Sequence, residues 1–181
     1  MLPERKNIRL QGYDYSTNGI YYITICTQGH LCLFGNIYAG TDSIPARMEM
    51  NEAGKMIESM FFETMDYYRN VNSDLYVIMP NHFHCILSMF GADIESAPTE
   101  HDSESASTIS DVVQTFKRKS TIKYIDGVKL GIYPTFKKRV WQRSYHDRII
   151  RNETEYQHIW QYIHENPVKW QEDIYLKAFS A

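Results

Sequence analysis

LYVIMPNHFHCILSM, residues 75–89, decides the fold. Pro80 and Asn81 stand in its middle, and Pro-Asn is turn chemistry, because the ring fixes φ and Asn tolerates a tight bend. Apolar runs of strand composition lie on both sides, 75–79 and 82–89, and predict two strands around a turn. Along the second strand, side chains alternate between faces. Phe83, Cys85, Leu87 and Met89 make an apolar set that belongs in a core. His82, His84, Ile86 and Ser88 share the other face, so two imidazoles stand side by side. Neutral imidazole is the commonest protein metal ligand, and this spacing suits one ion. Two polar residues on the wet face of a half-buried strand is the plainer explanation, and His-x-His alone does not choose between them.

The flanks extend the pattern. Residues 20–27, IYYITICT, are β-branched and aromatic and predict a central strand. Residues 31–34 and 46–50 predict shorter strand pieces, with 35–45 a loop. Asn51 suits the N-cap of a helix whose apolar positions run from Met56 to Met65. Thr108 or Ser110 can cap a second helix reaching about Ile125, and 140–150 is strand-like. Asn152 caps a last helix, with Glu153 and Glu155 favouring its dipole. Pro167 stops it, and a proline pushes the residue before it, Asn166, out of the α region. Antiparallel strands interleaved with helices predict an α+β fold with a ferredoxin-like sheet. The 181 residues suit one domain, 1–181. It is interrupted at 91–110 by a stretch with five acids and no Lys or Arg, expected to be an exposed, flexible loop.

Composition narrows the class. With 43% apolar and 23% charged residues this is globular-protein usage. No apolar run approaches a membrane span, and the first residues carry charges without an apolar stretch behind them, so no membrane partner and a cytoplasmic location are expected. Cys26, Cys32 and Cys85 are an odd set without paired spacing, which disfavours a disulfide scaffold or a zinc ribbon. Net charge is −3, yet residues 117–151 hold eleven Lys or Arg against Asp126 and Asp147, so that window is +9 and the rest is −12. Such asymmetry is the footprint of a local polyanion site, although a solvated basic face reads the same way. Lys117, Arg118, Lys119, Lys137, Lys138, Arg139 and Arg143 are candidate phosphate contacts, and Trp141 a candidate stacking platform or a core residue.

On the last helix Tyr156, Ile159, Trp160 and Ile163 recur as a core stripe. Tyr162 lies on its shoulder, with Asn166 one turn on along the same flank. A tyrosine and an amide beside a buried face can sit over a neighbouring site, or the tyrosine can simply pack its ring and wet its hydroxyl.

Together these residues resemble the single-tyrosine HUH transposases, in particular the REP-associated tyrosine transposase group. The likeness covers most of the chain: Arg9-Leu10-Gln11-Gly12-Tyr13-Asp14-Tyr15, Tyr22-Ile23-Thr24-Ile25-Cys26-Thr27, Asn51-Glu52-Ala53-Gly54, Met79-Pro80-Asn81-His82-Phe83-His84, Trp141-Gln142-Arg143-Ser144-Tyr145, Ile149-Ile150-Arg151-Asn152-Glu153 and Tyr162-Ile163-His164-Glu165-Asn166-Pro167. Met-Pro-Asn-His-x-His followed by Tyr-Ile-x-x-Asn-Pro is its specific part. The resemblance implies a HUH endonuclease fold, a Mg²⁺ or Mn²⁺ ion on His82 and His84, Tyr162 as nucleophile, and single-stranded or hairpin DNA as partner; a homodimer is compatible with it. Related insertion-sequence transposases carry Gln one turn after the tyrosine as a further ligand. Asn166 occupies that position here with a shorter arm and is the candidate third ligand.

The implied reaction is metal-assisted attack of the tyrosine oxygen on a DNA phosphodiester, leaving a 5′-phosphotyrosine and a 3′-hydroxyl. One ester replaces another, so strand transfer needs no ATP. Tyr145, Tyr156 and Tyr162 lie in the right region. Tyr145 falls on an expected strand, and Tyr156 in the middle of the apolar stripe, where its hydroxyl is expected to be buried. Two rivals remain: an inactive nucleic-acid-binding module of the same fold, and a metallo-phosphoesterase that uses water and forms no adduct.

Overall fold

The computed structural model describes residues 18–38, 40, 45–90 and 107–170. The elements are β1 (Gly19–Cys26), a short 3-10 turn (Gln28–His30), β2 (Gly35–Tyr38), β3 (Arg47–Met50), α1 (Glu52–Tyr67), β4 (Val71–Ile78), β5 (His82–Met89), α2 (Ile109–Lys129), β6 (His146–Ile150) and α3 (Glu153–Glu165). The main sheet has the order β4-β5-β1-β6, with every neighbour antiparallel. Without the small β2–β3 hairpin this is βαββαβ in ferredoxin-like order, as expected from the pattern. The hairpin is inserted between β1 and α1, and α3 is added after the last strand.

The sheet has two unlike faces. Phe83, Cys85, Leu87 and Met89 of β5 join Tyr21, Ile23 and Ile25 of β1 in a large core with α1 and α2. Phe61 of α1 packs its ring against Phe83 and Phe116 in this layer. The opposite face holds a small cluster of Ile86, Ile150, Ile159 and Ile163, the last two from α3. The alternation read from β5 is therefore correct, but all eight of its residues are buried, the histidines included.

Caps fall where the sequence placed them. The Asn51 side chain accepts from the Gly54 N–H, Asn152 does the same for Glu155, and Thr108 with Asp111 forms a reciprocal capping box. Gly54 is obligatory for space, since a Cβ there would lie 2.2 Å from the Phe34 carbonyl oxygen.

Several expectations need correction. The strand piece expected at 31–34 lies at Gly35–Tyr38 instead. The N–H groups of Leu33 and Phe34 are taken by the Pro80 carbonyl and do not pair with β3. β4 starts at Val71 rather than at 75, and α2 runs to Lys129 rather than to Ile125. The strand expected over 140–150 shrinks to β6, with Trp141 making one isolated bridge to Thr27. The reason is Lys117, whose ammonium donates to the carbonyls of Gln142, Arg143 and Ser144 and so draws them toward α2. Asn166 stays helical, at φ −54° and ψ −43°, despite the proline after it. Trp160, placed on the core stripe, is 38% exposed and stacks on His164. Residues 107–110 of the expected acidic loop instead cap and start α2; the remainder, 91–106, lies outside the described residues, as does the 9–15 motif.

Candidate active site on the α3 face

β1 and β5 bring the two histidines side by side, His84 against two hydroxyls and His82 against an amide. The register sets Thr24 opposite His84 and Cys26 opposite His82. Directly opposed residues share a face, so Tyr22 and Thr24 lie on the His84 side of the sheet. His84 Nδ1 lies 2.8 Å from both Tyr22 OH and Thr24 Oγ1. His82 Nδ1 lies 2.7 Å from Asn81 Oδ1. The two rings are 4.5 Å apart between centroids.

Both imidazoles are wholly buried. Burial pushes His82 down to about 3, with the nearby His30 adding to the shift and Asn166 opposing it. His84 falls well below the ordinary value, chiefly through burial and then through His82. Both rings are thus neutral at neutral pH, the form that ligates metals.

α3 closes the site from above. Tyr162 is 40% exposed, and its ring meets His84 edge-on at 5.5 Å and Tyr22 at 6.3 Å between centroids. Asn166, one turn on, is 3% exposed; its carboxamide interacts with His82, while Oδ1 is buried without a well-formed hydrogen bond. The ring of Trp170 stacks on His82 at 6.0 Å. Tyr145 is not beside the histidines but against the α1–α2 core. Tyr156 is half-buried on the small α3 cluster rather than enclosed, since that cluster is too shallow to cover it.

A divalent ion fits this donor set. His82 and His84 stand side by side, the Asn166 carboxamide interacts with His82, and the Nδ1 partners orient both rings with Nε2 on the far side. The set has no carboxylate, and among the described residues no three His, Cys, Asp or Glu gather around a point. Two imidazoles with one amide oxygen are softer than the all-oxygen cages magnesium favours.

The basic window divides. Trp141 is 3% exposed, its indole N–H donating to Ser120 Oγ, so it is a core residue and cannot serve as the stacking platform proposed for it. Lys117 has its ammonium on three carbonyls, and burial followed by the Arg139 charge pushes it down to about 8. Lys119 pairs with Glu63 at 3.2 Å and lies over the Tyr67 ring. Arg118, Lys137, Lys138, Arg139 and Arg143 are exposed.

Tyr22, Thr24 and Asn81 were not predicted as site residues. The first two were legible in principle, as polar members of one face of 20–27. His30 was also missed: its Nε2 lies 3.1 Å from Gln142 Nε2 and its carbonyl accepts from Asn81 Nδ2 at 3.3 Å, neither of which has a local sequence signal.

A ferredoxin-like sheet with two inward histidines on one strand and a tyrosine on a covering helix defines the fold class. It is that of a REP-associated tyrosine transposase solved bound to a REP hairpin, with a TM-score of 0.53, 18% identity, and coverage of 90% of this chain and 74% of that one. The chain belongs to the same family as an uncharacterized protein of Haemophilus influenzae, to which it is 31% identical over 185 residues, covering 95% of this chain and 93% of that one. A crystal structure of a candidate transposase from Deinococcus radiodurans is more distant, at TM-score 0.48 and 16% identity over 87% of this chain and 95% of that one. No family model matches. Among the described residues no helix is long and apolar enough to cross a membrane.

Proposed function

We propose that this protein is a metal-dependent transposase-like enzyme that nicks and rejoins single-stranded or hairpin DNA through a covalent tyrosine intermediate. The observation that carries the reading is Tyr162, exposed, with its ring 5.5 Å from the buried His84 and Asn166 one turn away. His82, His84 and Asn166 would hold the ion. When bound it supplies charge neutralisation at a phosphate oxygen, and the carboxylate-free set favours Mn²⁺ over Mg²⁺.

The Tyr162 oxygen forms a bond to phosphorus and loses its proton to solvent. The bond from phosphorus to the 3′-oxygen breaks, and that oxygen takes up a proton. Arg118, Lys137, Lys138, Arg139 and Arg143 supply phosphate contacts that weaken with salt. The fold's relative was solved on a REP hairpin, which supports a hairpin-bearing substrate here.

The test is covalent trapping on a cleavable oligonucleotide with Mn²⁺, followed by mass spectrometry of the modified peptide. Adduct on Tyr162, lost in Tyr162→Phe but kept in Tyr156→Phe, is the expected result. Adduct on Tyr145 or Tyr156 would refute the assignment. Cleavage without adduct would turn the site into a water-using phosphoesterase, and binding without cleavage would leave an inactive module.

A further inference from the structure

We infer that Asn81 is a positioning residue of this site: clamped by the His30 carbonyl, it holds His82 in the single tautomer that can ligate a metal. The inference rests on the metal-site reading above and concerns how that site is prepared.

An Asn side chain can be turned either way, and its hydrogen bonds decide which. The carbonyl of His30 can only accept, so the amide end facing it, at 3.3 Å, is Nδ2. Oδ1 then faces His82 Nδ1, at 2.7 Å. An amide oxygen also can only accept. The Asn166 carboxamide interacts with His82 as well, but makes no well-formed hydrogen bond to its Nε2, so the 2.7 Å contact decides: Nδ1 of the neutral ring carries the proton and Nε2 carries the lone pair. His84 meets hydroxyls instead. Its Nδ1 faces two hydroxyls, Tyr22 and Thr24, and a hydroxyl can donate or accept. One ring is locked by its neighbour, and the other can follow.

The clamp is itself fixed by the backbone. The Asn81 carbonyl accepts from both N–H and Oγ1 of Thr27, and the Pro80 carbonyl from the N–H groups of Leu33 and Phe34. On the other side, Gly29 and His30 are both in left-handed conformation, with φ of 67° and 52°. A histidine at such an angle is uncommon, and here the turn delivers the carbonyl that Asn81 needs.

The experiment uses the full-length protein in two arms. In the metal-free protein at neutral pH, ¹⁵N-detected imidazole spectra should show His82 as the Nδ1–H tautomer. An Nε2–H form or a mixture would overturn the inference, whatever the protein does with metal. In the second arm, Asn81→Leu keeps the bulk and removes the acceptor, while Asn81→Asp keeps an acceptor for Nδ1 and loses only the donor to the His30 carbonyl. Near-UV circular dichroism checks that each is folded. Asn81→Leu should mix the His82 tautomers and weaken Mn²⁺ binding by about 10- to 100-fold, the range for losing a partner behind a metal-binding histidine, and Asn81→Asp should restore the single tautomer. A single Nδ1–H form retained in a folded Asn81→Leu would refute the role of Asn81. If the wild type shows the expected tautomer yet binds no Mn²⁺, the metal reading falls and the tautomer lock stands.

Discussion

The two faces of the sheet do different work with the same strands. Beneath α1 and α2, Phe61, Phe83 and Phe116 interlock in a broad aromatic layer with buried aliphatics around it. Beneath α3 the apolar cluster is small, and the space beside it holds two buried imidazoles, two hydroxyls and an amide. β5 feeds both, with Phe83 on one side and His82 and His84 on the other. One strand thus gives its odd positions to the large core and its even ones to the candidate site.

Separation of the two roles makes the comparison breakable. The largest effect belongs to the α3 face: His84→Ala should abolish DNA cleavage altogether. Because the ring is buried and tied to Tyr22 and Thr24, the variant should also lose about 1–3 kcal/mol of stability from the hydroxyls left behind. A folded His84→Ala that cleaves normally would empty the α3 face of its chemical role.

Phe61→Ala probes the other face. It should cost about 3–5 kcal/mol, seen as a lower urea midpoint, while cleavage per folded molecule stays at the wild-type level. A folded Phe61→Ala that cleaves poorly would show that the faces are coupled.

Acid should unsettle the α3 face first. The unfolded chain takes up protons on these histidines near pH 6.5, whereas the native His82 resists until about 3 and His84 is also well depressed. The unfolded state therefore binds more protons between those values, and stability falls as pH drops through that window. The slope is about 1 kcal/mol per pH unit for each buried ring. Urea titrations from pH 7.5 to 4 measure it; a flat profile would contradict the buried neutral pair.

The smallest effect is expected at the turn that serves the clamp. Gly29→Ala meets no neighbour within 4 Å, so its cost is the left-handed backbone alone, about 1 kcal/mol. A much larger loss in thermal denaturation would mean that the turn does more than present the His30 carbonyl.

Much of this was legible beforehand, for local reasons. Alternation in 82–89 separated Phe83 from His84, and Asn51 and Asn152 capped their helices because N-cap chemistry is carried by one side chain. The 31–34 and 140–150 misassignments share another cause. In both, a distant group claims the backbone, Pro80 taking the N–H groups of Leu33 and Phe34, and Lys117 the carbonyls of 142–144. β-propensity cannot register such competition. Helical spacing put Tyr162 and Asn166 on one flank of the last helix, and the fold sets them beside His84 and His82. His30 stayed hidden, since only the folded turn brings it to Asn81. Trp141 misled because basic neighbours surround in sequence a ring that is buried in space.

The slender attachment of α3 sets a timescale. Within that helix Ile159 and Ile163 are the buried residues, whereas α2 sinks Val112, Val113, Phe116 and Tyr124 into the large core. A helix with so small a buried stake opens by local excursion, well short of global unfolding, and its amides exchange hydrogen at that pace while those of α2 wait for the whole fold. Tyr162 rides on this lightly held helix, and any strand esterified to it would leave and regain the sheet with the helix.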